Sequence, residues 1–156
     1  MSFHFINSPQ KKKIVEKLND QFGITSIPHL LLQTGKEKIR AFSGHMSKDE
    51  LMELTRLARV EIIGLYVLRE EHDMRLSLDG ALLYKDQITK NKFELTKEQM
   101  EAWMRGEELL IKHQPGTYIM TYQGKILGCG RSTGDKIANY IPKDRRVRQK
   151  TSMKSK

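Results

Sequence analysis

The feature that most constrains the fold is a run of closely spaced glycines near the end of the chain, at positions 124, 128, 130 and 134. Glycine at this spacing indicates short strands in a small, curved sheet, where side chains would clash or a ligand must approach the main chain. Thr117 to Tyr122 and Lys125 to Cys129 are the predicted strands, and Gln123-Gly124 is the predicted hairpin turn. The glycines are therefore either structural or, beside Arg131 and Lys136, places where a phosphate reaches the backbone.

One helix is predicted just before this sheet. Thr96 to Gln99 fits a capping box, in which the two end residues bond each other's backbone N–H, and Gly106 ends the helix. Trp103 and Met104 share one face of it. We interpret them as core residues, the alternative being a base-stacking platform.

The first half of the chain is predicted to begin with a helix. Ser8 and Pro9 fit its N-cap and first turn, and Gly23 ends it. The apolar run 28–33 and the alternating run 38–42 then predict a β-hairpin. Ser47 to Glu50 fits a further capping box, which predicts a second helix.

Two more strands are predicted over residues 61–69 and 74–78, and Asp79-Gly80 is predicted to turn the chain after them. The polar stretch Lys85 to Lys92 is the predicted linker. Phe93 and Leu95 then indicate a short strand. The pattern predicts an α+β fold, with an α/β domain over residues 1–86 and a mostly β body over residues 93–146.

Charge is concentrated at the end of the chain. The last seventeen residues, 140–156, carry +6 of the formal net charge of +9. Dense positive charge leaving a small folded body is expected of a protein that binds a polyanion, and the alternative is a solubilising, disordered tail. We predict that residues 147–156 are a basic, flexible tail.

Composition limits the class of protein. No apolar run approaches the ~20 residues that span a bilayer, and residues 1–5 lack the pattern of a signal peptide. The single cysteine, Cys129, excludes an internal disulfide. A reducing, cytoplasmic location without membrane contact is the expectation.

Enzymatic sites receive little support from the sequence. Cys129 has glycines on both sides, but a nucleophilic cysteine needs a positioned base, and no local motif links it to His45 or His113. The histidines are scattered without metal-ligand spacing. The glycine-rich stretch 128–134 lacks the pattern of a nucleotide-binding loop. We therefore predict no enzymatic activity, no metal and no cofactor.

Two motifs connect the second half to a known family. Trp103-x-Arg105-Gly106-Glu107-Glu108-Leu109 is followed by the glycine-spaced strands and by the ending 139–146, Asn-Tyr-Ile-Pro-Lys-Asp-Arg-Arg. Together they resemble the PUA-like segment of Sun/Fmu-class cytosine-5 methyltransferases of ribosomal RNA, which also occurs as a separate small protein in archaea. The order of elements in the first half is similar to the pre-PUA domain of Nip-family ribosome-assembly factors.

The resemblance implies an α/β pre-PUA domain followed by a small β-barrel-like PUA domain that binds structured RNA, ribosomal or transfer RNA. Neither a glycine loop for S-adenosylmethionine nor a paired-cysteine motif is present, so we expect a non-catalytic part of ribosome biogenesis or RNA modification. The expected RNA-binding residues are Arg105, Lys125, Arg131, Lys136, Asn139, Tyr140, Lys143, Arg145, Arg146 and Arg148. The alternatives are a protein–protein adaptor and an RNA-targeting subunit, with an RNA methyltransferase or a ribosome-assembly factor as partner.

Overall fold

The computed structural model describes residues 3–42, 44, 46–57 and 64–147. The chain divides into two compact units between Lys90 and Asn91. Each unit combines one sheet with at least one α-helix, which confirms the α+β class. Within the described ranges, no helix has the length and apolar character needed to cross a membrane.

The first unit is built on a five-stranded antiparallel sheet whose strands are neighbours in the order of the sequence. The strands are β1 (Phe3–Phe5), β2 (Leu30–Thr34), β3 (Lys38–Phe42), β4 (Leu65–Glu70) and β5 (Met74–Leu76). The helices are α1 (Ser8–Phe22), α2 (Lys48–Leu57) and α3 (Leu78–Leu83). Of the strand predicted over residues 61–69, residues 61–63 lie outside the described part.

Helix α1 begins one residue earlier than predicted. Asn7, not Ser8, is the N-cap: its side chain accepts from the Gln10 backbone N–H, and the Gln10 side chain accepts from the Asn7 N–H. This reciprocal pair decides between two neighbouring residues that are both good caps. Gly23 ends the helix with a φ of 88°, as predicted.

Helix α2 confirms the capping box predicted at its start. The Ser47 N–H donates to the Glu50 carboxylate, and the Glu50 N–H donates to the Ser47 hydroxyl. These bonds hold the pKa of Glu50 below its ordinary value, the backbone bond contributing most. Leu51 of α2 packs on Leu32 of β2, within an apolar cluster over one half of the sheet.

The predicted turn at Asp79-Gly80 is wrong, because both residues lie in α3. The Ser77 hydroxyl accepts from the Gly80 N–H and so starts a helix where a turn was expected. A Cβ on Gly80 would collide with the Val67 carbonyl of β4. Glycine therefore serves close packing of α3 on the sheet at this position.

The predicted linker is also partly wrong, since residues 85–90 are held to the first unit. Lys85–Gln87 form a turn of 3-10 helix, and Ile88 is buried. The Gln87 side chain accepts from the Thr25 and Ser26 N–H groups, and the Thr89 N–H donates to the Phe22 carbonyl. The stretch is polar because it hydrogen-bonds the end of α1.

The second unit has a four-stranded sheet and one helix. Its elements are β6 (Lys92–Glu94), α4 (Lys97–Met104), β7 (Gly116–Tyr122), β8 (Lys125–Ser132) and β9 (Ile137–Asn139). The strands are neighbours in this order; β6 and β7 are parallel and the other pairs antiparallel. The predicted turn joins β7 to β8, with φ values of 48° at Gln123 and 78° at Gly124, as a two-residue hairpin turn requires.

Candidate nucleic-acid interface

The centre of the second unit is the indole of Trp103, which is completely buried on α4. Its Nε1–H donates to the Leu127 carbonyl at 2.8 Å. A Cβ on Gly130 would lie 2.7 Å from Trp103 Cη2, and a Cβ on Gly128 would lie 3.6 Å from Nε1. Gly130 leaves room for the indole, so Trp103 is a core residue and Gly130 is structural. A Cβ on Gly128 would be in ordinary contact with the indole, and glycine suits that position through its φ of 119°.

Asn139 ties the end of β9 to the end of α4. Its Nδ2 donates to the carbonyls of Trp103 at 2.8 Å and Glu107 at 3.0 Å, and its Oδ1 accepts from the Ile141 N–H at 2.8 Å. Both polar atoms of the side chain are therefore bonded within the domain. These bonds give Asn139 a structural role, and its contact with a base or sugar stays a prediction.

The segment after β9 folds back onto the same end of α4. Lys143–Arg145 form a turn of 3-10 helix, and the Val147 N–H then donates to the Met104 carbonyl at 2.7 Å. Arg146 donates from Nε to the Ile141 carbonyl at 3.2 Å and lies over Gly106, where a Cβ would come within 2.5 Å of its side chain. Arg146 is thus a packing residue as well as a cation.

Four of the predicted cations lie on segments that meet at this end of α4, and we call them the exit cluster: Arg105, Lys136, Lys143 and Arg145. Lys143 and Arg145 are exposed. Arg105 Nε is 2.7 Å from Glu107 Oε2, and this hydrogen bond raises the pKa of Arg105. Lys136 Nζ is 3.2 Å from Glu108 Oε1. Tyr140, with 37% of its surface exposed, lies between the anchored Asn139 and Ile141.

The remaining predicted residues are placed elsewhere. Lys125 is exposed beside the hairpin turn, five residues and therefore about 17 Å along β8 from Gly130. Arg131 is partly buried and points to the sheet face opposite the one that Gly130 presents to Trp103, because side chains alternate along a strand. Arg148 lies outside the described residues.

Sequence reasoning missed the contact that fixes the exit cluster. Gly106 was recognised as the end of a helix, but nothing local predicts that Arg146, forty residues later, packs over it. The same holds for the bond between Val147 and Met104. The two motifs that carry the family resemblance, one containing Gly106 and the other Arg146, were the available signal, since these two residues turn out to be in contact.

Two of the candidate catalytic residues, Cys129 and His113, are buried or engaged in packing. Cys129 has 2% of its surface exposed. The ring of His113 lies edge-on to Phe93 and Tyr118, with centroids 4.9 and 4.7 Å away. His45 lies outside the described residues. In the part of the chain that the structure describes, no group of three His, Cys, Asp or Glu residues could hold a metal ion.

Comparison with known proteins finds a family model that matches the second unit. Residues 90–147 match a family model described as the methyltransferase RsmF PUA domain. These limits nearly coincide with the second compact unit. The match includes every described residue of the exit cluster.

Matched curated relatives are named ribosomal RNA small subunit methyltransferase F. Those of Psychromonas ingrahamii and Aeromonas hydrophila are 25% and 26% identical over 152 and 147 residues, each covering 91% of this chain and 30% of the relative. That of Aeromonas salmonicida is 32% identical over 72 residues, covering 45% of this chain and 15% of the relative. The chain therefore spans less than a third of these relatives, and the likeness extends into its first unit.

Proposed function

We propose that the chain binds structured RNA through the exit cluster, on the premise that residues 90–147, which match the model of the methyltransferase RsmF PUA domain, act as a PUA-like domain. The RNA is ribosomal, with transfer RNA as the alternative. The chain's own contribution is recognition, and methylation belongs to a catalytic partner or to a further part of the same protein. Its place is then ribosome biogenesis in the cytoplasm, with the first unit serving as a pre-PUA domain.

The observation that carries this proposal is the anchoring of the exit segment. Asn139 and Val147 are bonded to the last turn of α4 on either side of Lys143 and Arg145. Two exposed cations are thus presented from a short, fixed segment, so less conformational entropy is lost when a phosphate binds them than with a free tail.

The acidic neighbours of the cluster do not oppose this role. Arg105 and Lys136 pair with Glu107 and Glu108 at the surface, and exposed ion pairs of this kind are weak because water and salt screen them. A phosphate can therefore replace either carboxylate at little cost. Guanidinium groups suit that exchange because they bind phosphate with two parallel hydrogen bonds.

Shape and backbone contacts are the expected mode of recognition. The major groove of A-form RNA is too narrow for side chains to read, so a rigid cationic surface on a small domain contacts phosphates and 2′-hydroxyls instead. Tyr140 is exposed within the anchored segment, and in this proposal it contacts a sugar or an unstacked base.

The test is the affinity of the full chain for a fluorescein-labelled hairpin RNA, measured by anisotropy across a salt series. Lys143→Gln with Arg145→Gln removes two exposed cations and leaves Arg146 in its packing place. Each phosphate contact changes log K by about 0.7 to 0.9 per decade of salt, so affinity at about 0.1 M salt should fall roughly 25- to 60-fold. The log–log slope should become shallower by about 1.5.

A matched control removes the same charge elsewhere in the unit. Lys92 and Lys97 are exposed near the start of α4, away from the exit cluster. Lys92→Gln with Lys97→Gln should change affinity less than about threefold, since only long-range screening is affected. Equal losses in the two variants would leave net charge as the explanation, and no loss in the exit variant would refute the proposal.

A protein–protein adaptor remains the second candidate because α2 exposes apolar side chains. Met52 and Leu54 have 45% and 38% of their surfaces exposed. Binding of a ribosomal RNA methyltransferase that survives nuclease treatment and is lost in Met52→Glu with Leu54→Glu would favour this function. Loss of that binding on nuclease treatment would favour RNA as the bridge.

A further inference from the structure

The sheet of the first unit carries a second group of cations, separate from the exit cluster. Cross-strand pairing places Lys38 opposite Arg69, Arg69 opposite Arg75, and Arg40 opposite Tyr66. Residues paired across an antiparallel ladder share one face of the sheet. We call this group, on strands β3, β4 and β5, the cationic sheet face: Lys38, Arg40, Tyr66, Arg69 and Arg75.

On the same side of the sheet, the cationic sheet face lies next to an apolar region that helix α2 covers. Leu32 pairs with Arg40 across β2 and β3, so it lies on the same side of the sheet. Leu51 of α2 packs on Leu32. On this side of the sheet, the strand that precedes β3 presents apolar side chains, whereas the two strands that follow β3 present charged side chains. The two halves of the face therefore serve different purposes.

Carboxylates neutralise only part of this charge. Arg69 Nη2 is 3.1 Å from Glu37 Oε1, and its Nε is 3.0 Å from Glu71 Oε2. Arg75 Nη2 lies 3.3 Å from the same Glu71 oxygen. These contacts join two arginines to two carboxylates, and this ion-pair network stabilises the sheet.

Lys38 and Arg40 are not explained by that network. Lys38 Nζ lies 5.4 Å from the centroid of the Tyr66 ring, and Arg40 Nη1 donates to the Gly64 carbonyl at 3.2 Å. Among the described residues, neither is paired with a carboxylate. Arg40 Nε is also buried without a hydrogen-bond partner within that part of the chain. Holding a cationic N–H away from water without an acceptor is unfavourable, and an anionic ligand would remove that cost.

The phenol of Tyr66 lies within the electrostatic influence of the arginines on this face. Burial raises the pKa of its hydroxyl, and Glu71 acts in the same direction, while Arg75, Arg69 and Arg40 act in the opposite direction. Three arginines thus act on one half-buried phenol. A neutral hydroxyl in this position can donate to an anion or to a sugar oxygen.

We propose that the cationic sheet face is a second RNA-binding site, which contacts the sugar–phosphate backbone independently of the exit cluster. Arg40 and Lys38 bind phosphates, Arg69 and Arg75 remain paired with Glu37 and Glu71, and Tyr66 contacts a sugar or a base. An aromatic ring among guanidinium groups on an open sheet suits a nucleic-acid strand, because bases stack on aromatic rings and phosphates take the forked hydrogen bonds. An anionic membrane surface would not use the ring in this way.

The first measurement is photo-crosslinking of the full chain to a hairpin RNA that contains 4-thiouridine, with the adducts mapped by mass spectrometry. Adducts within residues 38–40 or 66–75 are expected, in addition to those near residues 139–147. Adducts confined to residues 139–147 would overturn this inference and leave the proposed function standing. Adducts confined to the first unit would support this inference and overturn the proposed role of the exit cluster.

The second measurement is RNA affinity in the Lys143→Gln, Arg145→Gln background, where the exit cluster no longer dominates binding. Adding the exposed Lys38→Gln should weaken binding a further five- to eightfold at about 0.1 M salt, and adding Arg40→Gln should repeat that loss. Lys38→Gln alone keeps the inference testable if the double change unfolds the sheet, which circular dichroism would reveal.

The matched control is Lys12→Gln with Lys13→Gln, which removes two exposed charges from α1 in the same unit. A change below about twofold is expected, because the RNA does not contact these lysines. An equal loss in the control would overturn the site. So would vesicles containing phosphatidylserine that bind the chain through Lys38 and Arg40 while RNA binding is unaffected.

Discussion

The sharpest structural prediction concerns Gly130, whose missing side chain makes room for Trp103. In Gly130→Ala the new Cβ would lie 2.7 Å from both Trp103 Cη2 and Ile137 Cγ2, and 3.1 Å from the Ala138 carbonyl oxygen. Carbon atoms pack without strain at about 3.5 to 4.0 Å. Two fully buried side chains would therefore have to move by roughly 0.8 Å or more.

The size of the effect follows from that displacement. Overpacking a well-filled core costs about 1 to 3 kcal/mol. For a unit of this size, 1 kcal/mol corresponds to a fall in Tm of about 4 to 8 °C. We expect the transition of the second unit to shift accordingly, and its fluorescence reports this unit alone because Trp103 is the only tryptophan.

A double-mutant cycle separates the packing effect from backbone effects. Trp103→Phe removes the Cη2 contact, so Gly130→Ala should cost about half as much in that background when urea unfolding is followed by circular dichroism. Gly124→Ala is the control, since it meets no atom within 4 Å and has only its φ of 78° to strain. Its cost should be the same in both backgrounds.

Two results would refute the reasoning about Gly130. One is additivity of the Gly130 and Trp103 changes within about 0.3 kcal/mol, which would mean that the two sites do not interact. The other is a large loss of RNA affinity in Gly130→Ala with unchanged stability, which would restore the hypothesis that this glycine admits a phosphate.

Three further predictions concern single side chains. Gly80→Ala should destabilise the first unit more than Gly130→Ala destabilises the second, because the new Cβ at position 80 meets the backbone of Val67. The midpoints of urea unfolding of the two variants measure the difference. Asn139→Ala should lower the free energy of unfolding by about 2 to 4 kcal/mol, because it leaves several main-chain groups unpaired. Asn139→Asp should not restore stability, since a carboxylate cannot donate to the two carbonyls. The unfolding transition, followed by Trp103 fluorescence, measures both effects. Hydrogen bonds from the Gln123 N–H and the Thr121 hydroxyl lower the pKa of Glu94, so the stability that it adds is present above its ordinary value of 4.5 and is lost as the pH falls through the lowered value. Glu94→Gln should therefore show a smaller loss of stability on acidification, and an unchanged pH profile would contradict this.

Local hydrogen bonding is the level at which the sequence predicts this structure well. The caps at Ser47 and Thr96 were predicted because their bonds join residues three positions apart. The hairpin at Gln123-Gly124 was predicted for the same reason. Asn7 shows the limit, since two neighbouring residues could cap α1 and only the partner Gln10 decides.

Contacts between distant residues account for what the sequence did not predict. Gly80 has the local signature of a turn, but it packs on Val67, a strand residue thirteen positions earlier in the sequence. The exit cluster depends on Gly106 and Arg146 meeting across forty positions. The cationic sheet face depends on strand register, and no periodicity in the sequence reveals which of Lys38, Arg69 and Arg75 become neighbours.

The parallel pairing of β6 with β7 has a consequence for folding. Lys92 is paired with Ile119, and the Ile119 N–H is bonded to the Asn91 carbonyl, so this contact closes a loop of more than twenty-five residues that contains α4. Closing such a loop costs more chain entropy than forming the β7–β8 hairpin, which should therefore assemble first. A fragment that starts after Glu94 would keep the hairpin and the indole but lack the strand that completes the sheet edge, and it should be exposed to self-association along β7.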